Sequence, residues 1–400
     1  MHAVRVLMLT HNMAGIGGSF MRSASLAGAL VELGHEVTLL VSRREIGLRR
    51  IETVQEGVRI LQMPDLLPQR VRHGGLSPID LSARCRFVLS ERFDLIHGFD
   101  HRPAVSLPAL LGRRRRRVPY VADWADLWGR GGIADERTRF GGRLLGWLDH
   151  RAENTVHRRA DAVTAITTEL AGRARALGVP HERVRLVPVG ANTKAIVPLP
   201  KAEARAKLGL ALDRDVVVHI GFAPYDAQLL TETFAALARR NPRALLVLSG
   251  GRMRIAEELL DRAGLGERMV HFGVVPYERL GEVLACGDVM LLPYSDRSLN
   301  RARYPNRVGD YLAAGRPIAT NPTGDVGRMV RDEGVGLVAD AEPEAFAGAI
   351  QGLLEDAPLR EEMGRRARHL AETRLSWRSM AVPLEGLYQE LMAGRQRPER

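Results

Sequence analysis

Short apolar runs alternate with longer segments of helical period along most of the chain. The first unit has an apolar run at residues 4–10, an amphipathic segment at 23–33 and a second apolar run at 37–42, which predicts a β-α-β unit. Further strands are predicted at residues 58–63, 95–97, 120–123, 162–166 and 185–189. Because these runs are apolar throughout, we expect them to be buried on both faces, in a parallel sheet covered by helices.

A change in composition after residue 189 marks a domain boundary. Gly190, Ala191 and Asn192 are followed by a stretch that contains Pro198 and Pro200, a composition typical of an exposed connection. A second series of strands is predicted at 216–221, 245–250, 269–275, 289–293, 317–320 and 336–339, with a helical pattern at 344–372.

These patterns predict an α/β protein with two doubly wound domains. The first covers residues 1–192 and the second covers 199–377, while a C-terminal helix at 378–400 is expected to pack back on the first domain. Ligands are expected at the carboxyl ends of the strands, as in other open α/β sheets.

Composition and charge indicate a globular protein with an anionic partner. The 400 residues are 45% hydrophobic and 26% charged, which excludes intrinsic disorder and fibrous repeats. There are 58 basic and 47 acidic side chains, a net charge of +11, and all but three of the basic residues are arginine. Two explanations stay open: a basic face for phosphate, nucleic acid or an acidic membrane, and a coding bias toward arginine.

Cysteine content and hydropathy favour a cytoplasmic location. Cys85 and Cys286 are too few for a disulfide framework or a cysteine-built zinc site. The first apolar run is shorter than a signal-peptide core, and no run approaches the roughly 20 residues that span a bilayer. We expect no redox or structural-metal chemistry, and any contact with a membrane would be peripheral, on its inner face.

A glycine-rich turn follows the first predicted strand. Gly15, Gly17 and Gly18 would let backbone N–H groups at the next helix start approach a phosphate. The dinucleotide fingerprint is incomplete, because Phe20 replaces its third glycine and residues 42–44 read Ser-Arg-Arg where an acid is needed. This disfavours NAD and leaves NADP open. The alternative is a turn that serves packing alone.

Polar and aromatic side chains gather after the fourth and fifth predicted strands. His97 is expected either to point into a cleft or to be a plain strand-end histidine, and a metal site shared with His101 is discounted because the segment is not helical. Residues 122–132 contain Asp123, Asp126 and two tryptophans, which suit a polyhydroxylated substrate. Alternatively, Asp126 caps a helix and the tryptophans lie in the core.

Two charged motifs carry less weight. Asp213-Arg214-Asp215 matches the metal-binding D-x-D pattern but precedes a strand, at the wrong end of the sheet for a ligand. The arginine run 113–117 predicts a solvated loop, with an anionic lipid surface as the functional alternative. No nucleic-acid motif accompanies it, so nucleic acid is not an expected partner.

The second half carries the clearest nucleotide chemistry. The strand at 245–250 continues into Gly251 and Arg252, where backbone N–H groups and a guanidinium could meet phosphate. Residues 301–317 place basic side chains just before a predicted helix. Arg307 would pair with phosphate, and Asp310, one turn later, would accept both ribose hydroxyls.

Residues 305–317 resemble family 4 of the retaining glycosyltransferases, which have the GT-B fold. The segment is similar to the family pattern of proline, a small residue, a basic residue, two residues, an acid and Tyr-Leu-Ala-Ala-Gly-x-Pro. Segments 15–19, 187–190, 271–274 and 286–293 support the resemblance. It implies two Rossmann-like domains that face a central cleft. The first would hold the acceptor and the second a nucleoside-diphosphate sugar, with no metal or cofactor required.

The resemblance also implies roles for individual residues. The donor site would consist of Gly17, Gly18, Gly221, Arg252, Val274, Arg303, Asn306, Arg307 and Asp310. Within it, Asp310 would bind the ribose and Val274 would lie near the base. Asp123 or Asp126 would position or activate the acceptor hydroxyl, and His97 is the third catalytic candidate.

The chain departs from the family pattern at the donor phosphates. The first of two glutamates that many members share falls on Ala302, and Phe222 and Gln228 stand where an arginine and a lysine are usual. Phosphate charge must then be neutralised by Arg252, Arg303 or Arg307, or by Arg301.

The expected activity is transfer of a sugar from a UDP- or GDP-sugar, with retention, to a sugar, lipid-linked or small-molecule acceptor. One alternative is an NADP-dependent oxidoreductase, which the glycine turn and the Ser-Arg-Arg segment favour. Another is a non-catalytic protein that binds a sugar nucleotide or an anionic surface, which the missing basic pair favours.

Overall fold

The computed structural model describes residues 3–136, 142–221, 226–251 and 253–395. The chain forms two compact units. The first contains Met1–Val189, Ala302–Asn306 and Trp377–Arg400, and the second contains Gly190–Arg301 and Arg307–Ser376. Each unit is built on its own β-sheet with helices on the faces, so the predicted α/β class with two Rossmann-like domains is confirmed.

The first unit contains an eight-stranded sheet. Its strands are β1 (Arg5–Met13), β2 (Glu36–Ser42), β3 (Ile51–Gln55), β4 (Val58–Met63), β5 (Leu95–Phe99), β6 (Tyr120–Trp124), β7 (Ala162–Ala165) and β8 (Val184–Leu186). Their order across the sheet is β3-β4-β2-β1-β5-β6-β7-β8. Strands β1, β2, β5 and β6 are almost completely buried, as the apolar runs predict.

One edge of this sheet departs from the prediction of a wholly parallel sheet. Strand β3 pairs antiparallel with β4, and all five of its residues are exposed. Glu56 and Gly57, with φ of 49° and 77°, form the tight turn between the two strands. The sequence pattern misses β3 because a solvent-exposed edge strand has no buried face to produce an apolar run.

Helices cover both faces of the first sheet. They are α1 (Gly18–Glu32), α2 (Gln69–His73), α3 (Pro78–Ser90), α4 (Pro103–Arg116), α5 (Gly142–Arg159) and α6 (Thr168–Ala176), with 3-10 turns at Ile133–Glu136 and His181–Arg183. Buried apolar side chains such as Leu7, Leu40, Phe87 and Ile96 form the core between sheet and helices.

The arginine run does not form the solvated loop that we expected. Arg113 to Arg116 are the last turn of α4, and Arg117 ends the helix in the left-handed conformation, with φ of 54°. Cationic side chains are favourable at a helix C-terminus because they interact with its partial negative charge. Arg113 also pairs with Asp161 at 2.8 Å.

The second unit contains a six-stranded parallel sheet. Its strands are β9 (Asp215–Ile220), β10 (Ala244–Ser249), β11 (Met269–His271), β12 (Val289–Leu292), β13 (Ile318–Thr320) and β14 (Gly336–Val338), in the order β11-β10-β9-β12-β13-β14. Its helices are α7 (Lys201–Lys207), α8 (Ala227–Arg240), α9 (Arg254–Arg262), α10 (Tyr277–Ala285), α11 (Ser298–Arg301), α12 (Asn306–Ala313), α13 (Gly324–Asp332), α14 (Pro343–Glu355) and α15 (Ala357–Thr373), with a 3-10 turn at Gly266–Arg268. The core includes Phe234, Leu246, Leu291 and Phe346.

The last helix, α16 (Trp377–Arg395), belongs to the first unit by its contacts. It packs along α1. Glu385 lies 3.2 Å from Nε2 of His35, and Tyr388 is fully buried. None of the helices in the described ranges has the length and apolar character needed to cross a membrane.

Candidate active site

Arg307, one of the arginines predicted for the donor site, lies at the start of α12. Nη1 of Arg307 donates to the carbonyl of Ile220 at 2.7 Å and to that of Gly221 at 3.2 Å, at the carboxyl end of β9. The same atom lies 2.9 Å from Nε2 of His219. A guanidinium has no acceptor, so Nε2 accepts, and Nδ1 of His219 carries the proton donated to the carbonyl of Leu291 at 3.0 Å. The strand end therefore fixes Arg307.

Asp310 lies one helical turn after the start of α12 and is partly exposed. The Tyr277 hydroxyl, at the first position of α10, donates to its Oδ1 at 2.9 Å. Burial raises the pKa of Asp310 to about 7, while the Tyr277 hydrogen bond and Arg307 oppose this increase. The carboxyl group therefore titrates near neutral pH in the ligand-free protein.

Glycines bring three loops of the second unit close together beyond the strand ends. Gly221 has φ of 66° and Gly250 has φ of 129°, and the N–H of Gly250 donates to the carbonyl of Gly273 at 2.7 Å. A side chain on Gly250 would have its Cβ 3.1 Å from the Gly221 backbone. The predicted base-site residue Val274 is 79% exposed beside Gly251. The predicted phosphate ligand Arg252 lies outside the described residues.

Asp123, one of the three catalytic candidates, is buried in an ion pair inside the first unit. Its carboxylate accepts from Nε and Nη2 of Arg22 at 2.9 and 2.8 Å and from Thr164 Oγ1 at 2.6 Å. Burial would raise the pKa of Asp123, but Arg22 outweighs burial and lowers the pKa. Because its side chain is 0% exposed, this carboxylate does not contact solvent.

His97 lies within β5 and does not project from the sheet edge. It is fully buried, with Nδ1 2.7 Å from the Tyr388 hydroxyl and Nε2 3.1 Å from Oγ1 of Thr164. Burial lowers its pKa to about 4, so the ring is neutral at physiological pH. His97 is linked to Asp123 through Thr164, and its catalytic role stays a prediction.

Asp126 is the most accessible of the three catalytic candidates. It is partly exposed. Burial raises its pKa to about 7, Arg303 opposes this increase, and Asp100, Glu153 and Asp123 add to it. A carboxyl group that titrates near neutral pH can accept a proton from a substrate hydroxyl.

The two tryptophans beside Asp126 have different environments. Trp124 is 2% exposed and stacks on His157 with ring centroids 4.0 Å apart. Its Nε1 donates to Glu153 at 2.9 Å. Trp124 is therefore a core residue, as the alternative interpretation of this segment holds. Trp128 is partly exposed, and the guanidinium of Arg102 lies 4.3 Å from its ring centroid.

A buried charge network next to Asp126 was not predicted from the sequence. Asp100, at the end of β5, has φ of 93°, a conformation that favours glycine. Its carboxylate lies 2.9 Å from Nδ1 of His101, and Nε2 of His101 lies 3.7 Å from Asp149. Burial opposes the charged form of His101, but these carboxylates outweigh burial and raise its pKa to about 9. Strained residues with buried charges concentrate at functional sites.

The glycine turn before α1 is partly filled by a side chain. Gly17 precedes α1 with φ of 96°, and a Cβ there would lie 2.2 Å from Oδ1 of Asn12. That oxygen accepts from the backbone N–H of Phe20 at 3.2 Å, so Asn12 satisfies one of the free donors at the helix start. Gly18 accepts from Nδ2 of Asn306 at 3.2 Å.

The D-x-D motif is used structurally. Asp215 begins β9, at the opposite end of the strand from Gly221, and pairs with Arg243 at 2.9 Å. In the part of the chain that the structure describes, no group of three or more His, Cys, Asp or Glu side chains is placed to hold a metal ion.

Two family models together match most of the chain. Residues 17–190 match "Glycosyl transferase 4-like domain", and residues 214–356 match "Glycosyl transferases group 1". Each half of the chain therefore belongs to a glycosyltransferase domain family, and together they are of the family 4 type.

Solved structures show that this chain has the GT-B fold. Sucrose-phosphate synthase from Thermosynechococcus elongatus has a TM-score of 0.78 at 20% identity over 98% of this chain and 100% of its own. Anabaena HepE, solved with UDP-glucose, has a TM-score of 0.73 at 16% identity over 98% and 100%.

Curated relatives of this chain differ in the substrates that their names specify. The D-inositol 3-phosphate glycosyltransferase of Nocardia farcinica is 32% identical over 60% of this chain and 54% of its own length. The alpha-D-kanosaminyltransferase of Streptomyces kanamyceticus is 27% identical over 60% of this chain and 63% of its own length. A GDP-mannose-dependent phosphatidylinositol monomannoside mannosyltransferase of Mycolicibacterium smegmatis is 28% identical over 64% and 69%. The chain thus spans about half to two thirds of the length of these relatives.

Proposed function

We propose that this protein transfers a sugar from a UDP- or GDP-sugar to an acceptor hydroxyl with retention of the anomeric configuration. The arrangement of Arg307 and Asp310 at the start of α12 carries this proposal. Arg307 supplies a fixed cation beside the carboxyl end of β9, and Asp310 supplies a carboxylate one helical turn away. Diphosphate and ribose are the two chemical groups that need such a pair.

In the donor site, Arg307 neutralises the charge that develops on the departing diphosphate. Such electrostatic stabilisation is the largest contribution that a site of this kind can make. Asp310 accepts the ribose hydroxyls, and Val274 contacts the base from its exposed position. Gly221, with its positive φ, allows close approach of the backbone. Completing the proposed donor set are Gly17, Gly18, Arg252, Arg303 and Asn306.

In the first domain, Asp126 positions and activates the acceptor hydroxyl. It is partly exposed and its pKa is near 7, whereas Asp123 and His97 are buried. We assign Asp123 and His97 to positioning, because both are buried and their contacts with Thr164 join β5, β6 and β7. The reaction needs no metal in this proposal.

The acceptor is proposed to be a sugar, an inositol or a lipid-linked hydroxyl compound. Names of the relatives support these classes, since they include an inositol phosphate and a phosphatidylinositol mannoside as substrates of those proteins. A cytoplasmic location, with peripheral contact to the inner face of the membrane, fits such an acceptor. Neither the comparisons nor the described part of the structure favours the oxidoreductase alternative.

Calorimetric titration at fixed salt with UDP, GDP and NADP tests the donor site. The wild type should bind UDP or GDP, and Asp310→Ala should weaken binding at least tenfold, while the distant exposed variant Glu344→Gln binds normally. Binding of NADP alone, or an Asp310→Ala variant that binds as well as the wild type, would refute the site.

Incubation of the preferred nucleotide sugar with D-inositol 3-phosphate and simple glycosides, followed by NMR of the product, then tests transfer and retention.

A further inference from the structure

Helix α5 of the first unit presents a continuous apolar surface to solvent. Leu144, Leu145, Trp147 and Leu148 are 63%, 55%, 54% and 48% exposed. Leu144 and Leu148 are four residues apart, so they lie one above the other, with Leu145 and Trp147 on either side. Scattered exposed apolar residues are ordinary, but four within one and a half turns form a patch, and such patches mark interaction sites.

Basic side chains flank this patch on the outward side of α5. Arg143 precedes it, and Arg151, Arg158 and Arg159 follow it, all exposed. The guanidinium of Arg151 lies 5.2 Å from the Trp147 ring centroid. The outward side therefore has an apolar segment with cationic side chains at both ends.

The two carboxylates of α5 are turned inward. Asp149 pairs with Arg102 at 3.0 Å, and Glu153 is buried and accepts from Trp124 at 2.9 Å. The neighbouring 3-10 turn Ile133–Glu136 does carry exposed carboxylates, at Asp135 and Glu136. The positive character thus belongs to the outward side of α5 itself.

We propose that the outward side of α5 docks on an anionic lipid bilayer, with Leu144, Leu145, Trp147 and Leu148 entering the interface. An interfacial helix combines an apolar side that contains tryptophan with arginines that attract anionic lipid headgroups. The surface goes beyond the proposed transfer reaction and identifies the membrane contact by residues. It does not require the donor site, so the two proposals can fail separately.

Charge favours a bilayer over a second copy of the chain as the occupant. Symmetric pairing of two α5 surfaces would bring the patch of one copy onto that of the other and place Arg151 and its neighbours near their equivalents. The arginines of the two copies would repel one another, because the carboxylates of α5 face inward and do not neutralise them. An anionic headgroup layer has the opposite charge and no fixed shape requirement.

Sedimentation with vesicles tests the proposal on the full chain. Vesicles of phosphatidylcholine with about one third phosphatidylglycerol should carry the wild-type protein down at low salt. Pure phosphatidylcholine should bind it more weakly, and higher salt should release it, because ions screen the arginines. A wild type that stays in the supernatant with the anionic vesicles overturns the proposal.

Variants locate the contact. The triple change Leu145→Gln, Trp147→Gln and Leu148→Gln should reduce partitioning at least tenfold. A matched control alters three exposed apolar residues of the second unit, Leu212→Gln, Ile255→Gln and Leu359→Gln, and should keep it. Circular dichroism melting and nucleotide affinity should be unchanged in both variants, which shows that they fold and separates this test from that of the donor site.

Two further measurements exclude the competing surfaces. Arg151→Gln with Arg158→Gln should weaken binding roughly fivefold per arginine, whereas Arg114→Gln with Arg115→Gln, in the α4 arginine run, should have a smaller effect. If the two α4 substitutions abolish binding and the two α5 substitutions do not, the docking surface is α4.

Light scattering should give one monomeric mass for the wild type and the apolar triple variant. A wild-type dimer that the triple change dissociates would identify a second copy as the occupant.

Discussion

The Tyr277 hydroxyl donates a hydrogen bond of 2.9 Å to Oδ1 of Asp310, the carboxylate that we assign to the donor ribose. The two residues lie on different helices of the second unit, 33 positions apart. The bond favours the ionised carboxylate and opposes the burial that raises its pKa to about 7. The binding strength of a nucleotide sugar should therefore depend on pH in the neutral range.

Ribose hydroxyls donate to an ionised carboxylate, so binding requires Asp310 to lose its proton. Affinity for the preferred nucleotide sugar should fall up to tenfold per pH unit below about 7 and level off above it. In Tyr277→Phe the pKa should rise further, so the loss of affinity should begin at a higher pH. Calorimetry between pH 5.5 and 8.5 measures both curves. Tyr120→Phe is the matched control, because that buried hydroxyl has no hydrogen-bond partner among the described residues, and identical curves for Tyr277→Phe and wild type would contradict the assignment.

Arg307 should contribute to diphosphate binding and not to nucleoside binding. Arg307→Gln should weaken UDP or GDP about 10- to 100-fold, the effect of losing a charged hydrogen bond, and leave the free nucleoside unaffected. His219→Phe removes the acceptor that holds Nη1 at 2.9 Å and should cause a smaller loss in the same direction. Arg239→Gln, an exposed arginine on α8, is the control. Equal losses for nucleotide and nucleoside would show that Arg307 does not contact phosphate.

The Arg22–Asp123 ion pair should be essential for stability. Both side chains are at most 2% exposed, so Arg22→Met leaves an uncompensated buried carboxylate and should cost about 3 to 5 kcal/mol in free energy of unfolding. The exposed pair of Arg59 and Glu52 is the comparison, and Arg59→Met should cost less than about 1 kcal/mol. Denaturant titration measures both. A variant with normal stability and no transfer activity would instead assign this pair to chemistry.

Asp126 should act on the acceptor and not on the donor. Asp126→Asn should lower kcat about 100-fold or more while the affinity for the donor nucleotide stays the same. At saturating donor, where the titration of Asp310 no longer limits binding, the wild-type kcat should increase with pH through about 7 as Asp126 ionises, and this dependence should disappear from the residual kcat of the variant. Asp135→Asn, a nearby exposed carboxylate, is the control. An unchanged kcat in Asp126→Asn would remove this residue from the proposed site.

Gly309 allows the close approach of α12 to the segment that begins the second unit. A Cβ at this position would lie 2.3 Å from the carbonyl oxygen of Gly190. Gly309→Ala should therefore destabilise the protein by about 1 to 3 kcal/mol and weaken nucleotide binding, because α12 must shift. Gly172→Ala, on α6 with no atom within 4 Å of its added Cβ, should instead stabilise by about 0.5 to 1 kcal/mol. Thermal melting distinguishes the two.

The strands that sequence patterns predicted best are those with a buried face. Residues 58–63 were predicted and form β4, whereas the exposed edge strand β3 had no apolar signal. The predicted helical region at 344–372 is two helices, because Asp356 ends α14 and accepts from the N–H of Leu359 at 2.9 Å to begin α15. That break depends on a cap, which a period of 3.6 residues does not reveal.

For the candidate site, the sequence by itself determined what is local. Arg307 and Asp310 lie within one turn of the same helix, so their spacing already indicated nucleotide chemistry. The tertiary structure alone decided which residues support them, because Tyr277 and His219 come from helices and strands 33 and 88 positions away. It also decided that Asp123 and His97 are buried and that Asp126 is partly exposed. Burial of a strand-end side chain depends on what packs against it, and nothing in residues 95–126 predicts that Arg22 and Tyr388 fill that space.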